Sequence, residues 1–283
     1  YGFDDVAIVP GAVTLNPELA DTSFSLGNCN FETPFIASAM DAVVDPAFAV
    51  LMHQVGGLAV MNLEGIQTRY EDPTVALETI ISASQDSVTN VLQDIYTKPV
   101  DERLIQTRVQ QIKSSGGICA VSVTPQNTKK LAPLAVEAGA DVIVVQSTVT
   151  TARHISRSYK GLVLSELIPT LKGIPLVVGN CVTYDAALEL IETGIDGLLI
   201  GVGPGAACTT REVTGVGVPQ VTATLECAAA REKYYAATGK YVAVITDGGL
   251  RTGGDICKAL VAGADAVMLG TPFAQSAEAP GQG

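Results

Sequence analysis

Short apolar runs recur along the chain, each closed by a glycine or polar turn and followed by a stretch of helical spacing. Eight runs read as strands, at 34–40, 57–62, 118–124, 141–147, 174–179, 197–202, 241–246 and 266–270. They are β-branched and apolar on both faces, as strands buried in a parallel sheet are. Helices are expected at 45–55, 128–138, 184–193, 220–238 and 254–262, the last four closed by Gly139, Gly194, Gly239 and Gly263.

Three helix-to-strand junctions share one form: Glu137-Ala138-Gly139-Ala140-Asp141, Glu192-Thr193-Gly194-Ile195-Asp196 and Val261-Ala262-Gly263-Ala264-Asp265. A doubly wound open sheet uses the same turns. Eight strands with this repeated turn point instead to an α/β fold of the (β/α)8 TIM-barrel type, a single domain over residues 1–283. Residues 1–33 are expected to cover the barrel bottom. A polar, helical insert is expected at about 64–117, including the charged stretch 98–113. The chain reaches Ala279-Pro280-Gly281 soon after the last strand, so a closing helix and a mobile flap are expected beyond it.

Composition narrows the function classes. Of 283 residues, 47% are apolar, enough for a large core, yet no run reaches the roughly 18 apolar residues of a membrane span. The acidic start Tyr1-Gly2-Phe3-Asp4-Asp5 lacks signal-peptide architecture. A net charge of −12 argues against a nucleic-acid surface. The six cysteines form no CxxC pair and read as reduced cytoplasmic thiols. With only His53 and His154, a histidine-based zinc site is not expected.

The strand ends carry the candidate chemistry. The run 197–202 empties into Gly201-Val202-Gly203-Pro204-Gly205-Ala206-Ala207-Cys208-Thr209-Thr210-Arg211. Its glycines permit close backbone approach, and a thiol beside hydroxyls and a guanidinium suits a nucleophile. Asp247-Gly248-Gly249 and Gly270-Thr271 end adjacent strands, where glycine turns bind phosphate and Asp247 suits ribose hydroxyls. Ser38 is placed to bond a phosphate or base, and Met40 to pack on a flat ring. Asn180 is suited to orient an amide-bearing group.

These segments, with Gly2-Phe3-Asp4-Asp5-Val6, Gly217-Val218-Pro219-Gln220 and Glu278-Ala279-Pro280-Gly281, resemble the IMP dehydrogenase/GMP reductase family over most of the chain. The resemblance implies that Cys208 adds as thiolate to C2 of IMP and that hydride passes to NAD+. Water then hydrolyses the thioimidate to XMP, a step in guanine nucleotide synthesis. It implies that Thr210 assists beside Cys208, and that Asp247 binds the ribose. Gly248, Gly249, Gly270 and Thr271 hold the phosphate. Asn180, Ser147 and Gly201 form the cofactor side, Asn180 contacting nicotinamide. Backbone carbonyls of Gly203, Gly205 and Cys208 hold K+. A homotetramer, or a homo-octamer of two tetramers, is implied.

The insert is too short for the paired CBS regulatory module common among the dehydrogenases, so control through that module is not expected. The reductases also lack the module. They use a threonine–glutamate pair that Thr210 and Glu278 match, with GMP as substrate and NADPH as reductant. A purine-nucleotide-binding protein without turnover is a third reading. Three positions depart from the dehydrogenase pattern: Ala206 replaces a serine that contacts phosphate, Leu199 a basic residue, and Gln146 the aspartate expected to bind the dinucleotide ribose.

Overall fold

In the computed structural model, which describes residues 1–155 and 161–281, eight parallel strands close into a barrel. Gln282 and Gly283 lie outside the described residues. The chain begins with a hairpin of β1 (Phe24–Leu26) and β2 (Cys29–Phe31). The barrel strands are β3 (Phe35–Ala37), β4 (Leu58–Asn62), β5 (Ala120–Val123), β6 (Val142–Gln146), β7 (Leu176–Cys181), β8 (Gly197–Ile200), β9 (Ala243–Asp247) and β10 (Ala266–Leu269). Each pairs with the next, and β10 returns to β3. This is the (β/α)8 TIM barrel expected from the sequence.

The shell helices are α1 (Pro46–Gln54), α4 (Glu102–Ser114), α5 (Thr128–Ala138), the short α6 (Leu164–Leu167), α7 (Tyr184–Glu192), α9 (Gln220–Thr238) and α10 (Gly253–Val261). Between β4 and α4 lie α2 (Pro73–Ile81) and α3 (Val88–Thr97). Two short helices sit at strand ends: α8 (Thr210–Thr214) and α11 (Thr271–Ala274). Asp45 caps α1 by accepting Phe48 N at 2.7 Å, and Thr252 and Asp255 form a capping box on α10.

The repeated junction has a physical reason. Gly139, Gly194 and Gly263 take φ values of 100°, 96° and 105°, a conformation that side chains resist. Each following aspartate then reaches back to the strand before its helix. Asp141 accepts Cys119 N at 2.7 Å, Asp196 accepts Leu176 N at 2.9 Å, and Asp265 accepts Val244 N at 2.7 Å. Glycine turns the chain and aspartate pins the strand start, at the barrel end opposite the strand C-termini. Arg231 adds to the third junction, donating to Asp265 Oδ2 at 2.9 Å and Gly263 O at 3.2 Å.

The hairpin closes the barrel bottom: Phe24, Leu26 and Phe31 pack with Ile36, Val177 and Leu199 in the barrel interior. Residues 1–5 depart from the expectation for 1–33. Phe3 packs against Leu250, Ala259 and Leu269 on the outer side, and Lys258 Nζ donates to its carbonyl at 2.7 Å. Gly2–Asp5 thereby line a cavity at the rim where the strands end.

The insert also ends earlier than its sequence suggested. The charged stretch contains α4, which buries Leu104, Ile105, Val109 and Ile112 and packs between α1 and α5 as a shell helix. What lies outside the shell is α2 and α3, with a small core of Ile66, Ala76 and Ile95. Asp41, in the loop between β3 and α1, anchors it: its carboxylate accepts Ile66 N at 3.1 Å and the Tyr96 hydroxyl. Among the described residues, no helix is long and apolar enough to cross a membrane.

Candidate active site

Two cavities open where the strands end. The smaller, about 390 Å³, is lined by Asn62, Glu64, Thr124, Gln146, Ser147, Asn180, Gly201 and Gly203. The larger, about 880 Å³, is lined by Ser38, Met40, Gly249, Arg251, Gly270 and Thr271. Pro204, Gly205, Cys208, Asp247 and Gly248 line both. Of the candidates named from the sequence, Ser38, Met40, Asn180, Cys208, Asp247, Gly248, Gly249, Gly270 and Thr271 line this one mouth, which is divided at Cys208 and Asp247.

The cysteine loop is shaped by tight packing against β9. A Cβ at Gly201 (φ 143°) would overlap the Asp247 carbonyl, and one at Gly248 would sit 3.2 Å from Pro204 Cγ. Arg211 staples the loop by donating to Val202 O at 2.8 Å and Val218 O at 2.6 Å. Gln220, at the start of α9, donates through one amide nitrogen to Ile200 O and Asp247 O, each at 3.0 Å. It thereby ties β8 to β9, while its buried Oε1 has no protein partner.

Cys208 is exposed, and its Sγ shares a hydrogen bond with Thr210 Oγ1 at 3.2 Å. The hydroxyl and backbone N–H of Thr210 pull the thiol below its ordinary value; Arg211 adds to this and Asp247 opposes it. Thr210 itself lines neither cavity. The other thiols differ: burial pushes Cys119 up to about 12 and also raises Cys29. Cys181 and Cys227 are buried against each other with their sulfurs 4.0 Å apart.

Asp247 ends β9. Its Oδ2 accepts Asn180 Nδ2 at 2.8 Å and Gln146 Nε2 at 3.0 Å. Burial pushes its carboxyl up to about 6, and the two amides pull the other way. Asn180 therefore faces Asp247 with its amide already engaged. The Ser147 hydroxyl bonds Val149 O and the Thr150 hydroxyl, each at 2.9 Å, and so braces the end of β6. Met40 leans over Gly270, whose Cβ would lie 3.1 Å from the Met40 sulfur. Leu199 is fully buried in the barrel interior against Gly179, where a charged side chain would be costly.

Sequence reasoning missed Gln220, Glu64 and Thr124. Glu64 accepts Thr124 N at 2.5 Å, the Thr124 hydroxyl at 3.1 Å and the Asn127 amide, so its carboxylate is fully engaged. For Glu64 and Thr124 the available signal was a polar residue just after an apolar strand; Gln220, the first residue of α9, carried no such signal. Among the described residues, no group of three or more His, Cys, Asp or Glu could hold a metal ion.

Comparison with known proteins places the chain in a family and supports its fold. The model of the IMP dehydrogenase / GMP reductase domain matches residues 1–283. The chain is similar to an uncharacterized oxidoreductase of Mycolicibacterium smegmatis, at 38% identity over 100% of the chain and 77% of that protein. It is 32% identical to the inosine-5'-monophosphate dehydrogenase of Cryptosporidium parvum, over 99% of the chain and 69% of that enzyme. An IMP dehydrogenase/GMP reductase-like protein from Corynebacterium glutamicum superposes with a TM-score of 0.94 at 36% identity. That match covers 100% of this chain and 75% of the other. With its barrel, its thiol loop and a family match from end to end, the chain belongs to the IMP dehydrogenase/GMP reductase family.

Proposed function

We propose that this oxidoreductase is an NAD-dependent IMP dehydrogenase. The observation that carries the reading is the lowered thiol of Cys208 on the wall common to two cavities, facing Asp247. One cavity, with the turns at Gly248, Gly249, Gly270 and Thr271, suits a mononucleotide. The other, with Asn180, Ser147 and Gly201 in its wall, suits the nicotinamide end of a cofactor.

In this reading the Cys208 thiolate bonds C2 of IMP, and the C2 hydrogen leaves as hydride. Bound NAD+ supplies the hydride acceptor. Water then adds at C2, the carbon–sulfur bond breaks, and XMP leaves with the thiol restored. Thr210 manages a proton beside the sulfur, Asp247 accepts from the ribose, Ser38 bonds the phosphate or base, and Met40 packs on the purine. Backbone carbonyls of Gly203, Gly205 and Cys208 are the donors for K+, since neutral carbonyls suit a monovalent cation. The working form is a homotetramer or homo-octamer.

The test is absorbance at the nicotinamide band with K+, IMP and NAD+, run beside GMP with NADPH. Reduction of NAD+ by IMP supports the proposal. Oxidation of NADPH by GMP assigns the reductase activity instead. Nucleotide binding with neither reaction leaves a binding protein.

A further inference from the structure

Asp247 is held by one oxygen. Asn180 and Gln146 both donate to Oδ2, while among the described residues no protein donor reaches Oδ1. Gln146 is the last residue of β6 and pairs in register with Gly179, beside Asn180. Its Nε2 also lies 3.3 Å from Asn180 Oδ1, which fixes the Asn180 amide with its NH2 turned to Asp247. Three side chains from β6, β7 and β9 thus close a ring of hydrogen bonds across the barrel mouth.

We propose that Gln146 is a positioning residue that aims the free oxygen of Asp247 at a ribose hydroxyl, making the site selective for ribonucleotides. The inference rests on the mononucleotide reading above. A carboxylate rotates freely about its terminal torsion, so an unpinned one loses that freedom on binding. With Oδ2 engaged twice, the direction of Oδ1 is set before the ligand arrives. A neutral amide suits position 146, because a carboxylate 3.0 Å from Asp247 would have to share its proton. Nor can Glu64, the other acid in the smaller cavity, take over, since both its oxygens are engaged.

The test compares the parent with Q146M, which keeps the length and removes the donor, and with D247A as reference. Dissociation constants for IMP and its 2′-deoxy and 3′-deoxy analogues are measured by calorimetry, with a thermal melt for each protein. In the parent, loss of the hydroxyl that Asp247 reads should weaken binding about tenfold or more. In Q146M that ratio should fall to about threefold, with the deoxy analogue binding almost as it does to the parent. D247A should bring the ratio near one. A merely structural role weakens both ligands equally, so a parental ratio in folded Q146M overturns the proposal. Should Q146M melt early, Q146N, whose amide is one carbon short, is read in its place. A parent that binds IMP with no hydroxyl preference overturns the proposal together with the ribose role of Asp247, and leaves the dehydrogenase reading intact. A parent that binds neither IMP nor GMP overturns both.

Discussion

Asn180 Nδ2 and Asp247 Oδ2 lie 2.8 Å apart, joining the ends of β7 and β9 across the barrel mouth. The bond holds an acid that the fold would rather keep neutral. Burial raises the Asp247 carboxyl from 3.8 to about 6, so the ionised form costs the folded state. That cost is absent below about pH 4, grows as the pH rises toward 6, and is complete above it. D247N should therefore be more stable than the parent by about 2 kcal/mol near pH 8, and by less near pH 5. It should bind nucleotide more weakly. Thermal melts at the two pH values check this; a D247N that melts earlier near pH 8 contradicts it.

Cys208 should be the first cysteine alkylated by iodoacetamide near neutral pH, because it is exposed and its thiol is lowered. Peptide mass mapping reads the order of labelling. T210V should slow labelling at Cys208 several-fold and leave Cys257, which is also exposed, unchanged. C208A should abolish turnover and keep the nucleotide dissociation constant within about threefold. Appreciable kcat in C208A would refute covalent catalysis.

Arg231 is a stability residue far from the mouth. Its side chain is 6% exposed and donates to Asp265, Gly263 O and the Tyr241 hydroxyl. R231M leaves the Asp265 carboxylate without its cation, at a cost of about 3 kcal/mol. A fall in Tm with unchanged KM is expected, and a shifted KM would show coupling to the site.

The outer helix α3 is tied to the barrel through Tyr96, whose hydroxyl donates to Asp41. Removing the Tyr96 hydroxyl as Y96F frees one Asp41 oxygen. Amide hydrogen exchange should accelerate in 88–97 by about tenfold or less while the barrel strands keep their protection. Uniform acceleration across the chain would show that this helix unfolds only with the barrel.

The barrel was legible because its signals are local. Buried parallel strands are apolar on both faces, and Gly139, Gly194 and Gly263 mark turns that need positive φ. The aspartates two residues later were visible but their purpose was not, since their partners at Cys119, Leu176 and Val244 are about 20 residues upstream. The limit of the outer helices was misread because α4 is rich in Arg, Gln and Lys, while its buried stripe is only four aliphatic residues. Cys208 and Asp247 stood out by their glycine-rich surroundings. Gln146 stood out only as a departure from a pattern. Its bond to Asp247 spans 101 positions and no spacing rule could disclose it.

The wall formed by Pro204, Gly205, Cys208, Asp247 and Gly248 belongs to both cavities. A ligand that stiffens this wall from one side changes the surface met by a ligand on the other. Thermodynamic reciprocity then binds the two: whatever factor the first adds to the affinity of the second, the second returns to the first. If both cavities are filled as proposed, the barrel mouth becomes a coupled pair of sites, and neither affinity has a single value until the occupancy of its neighbour is stated.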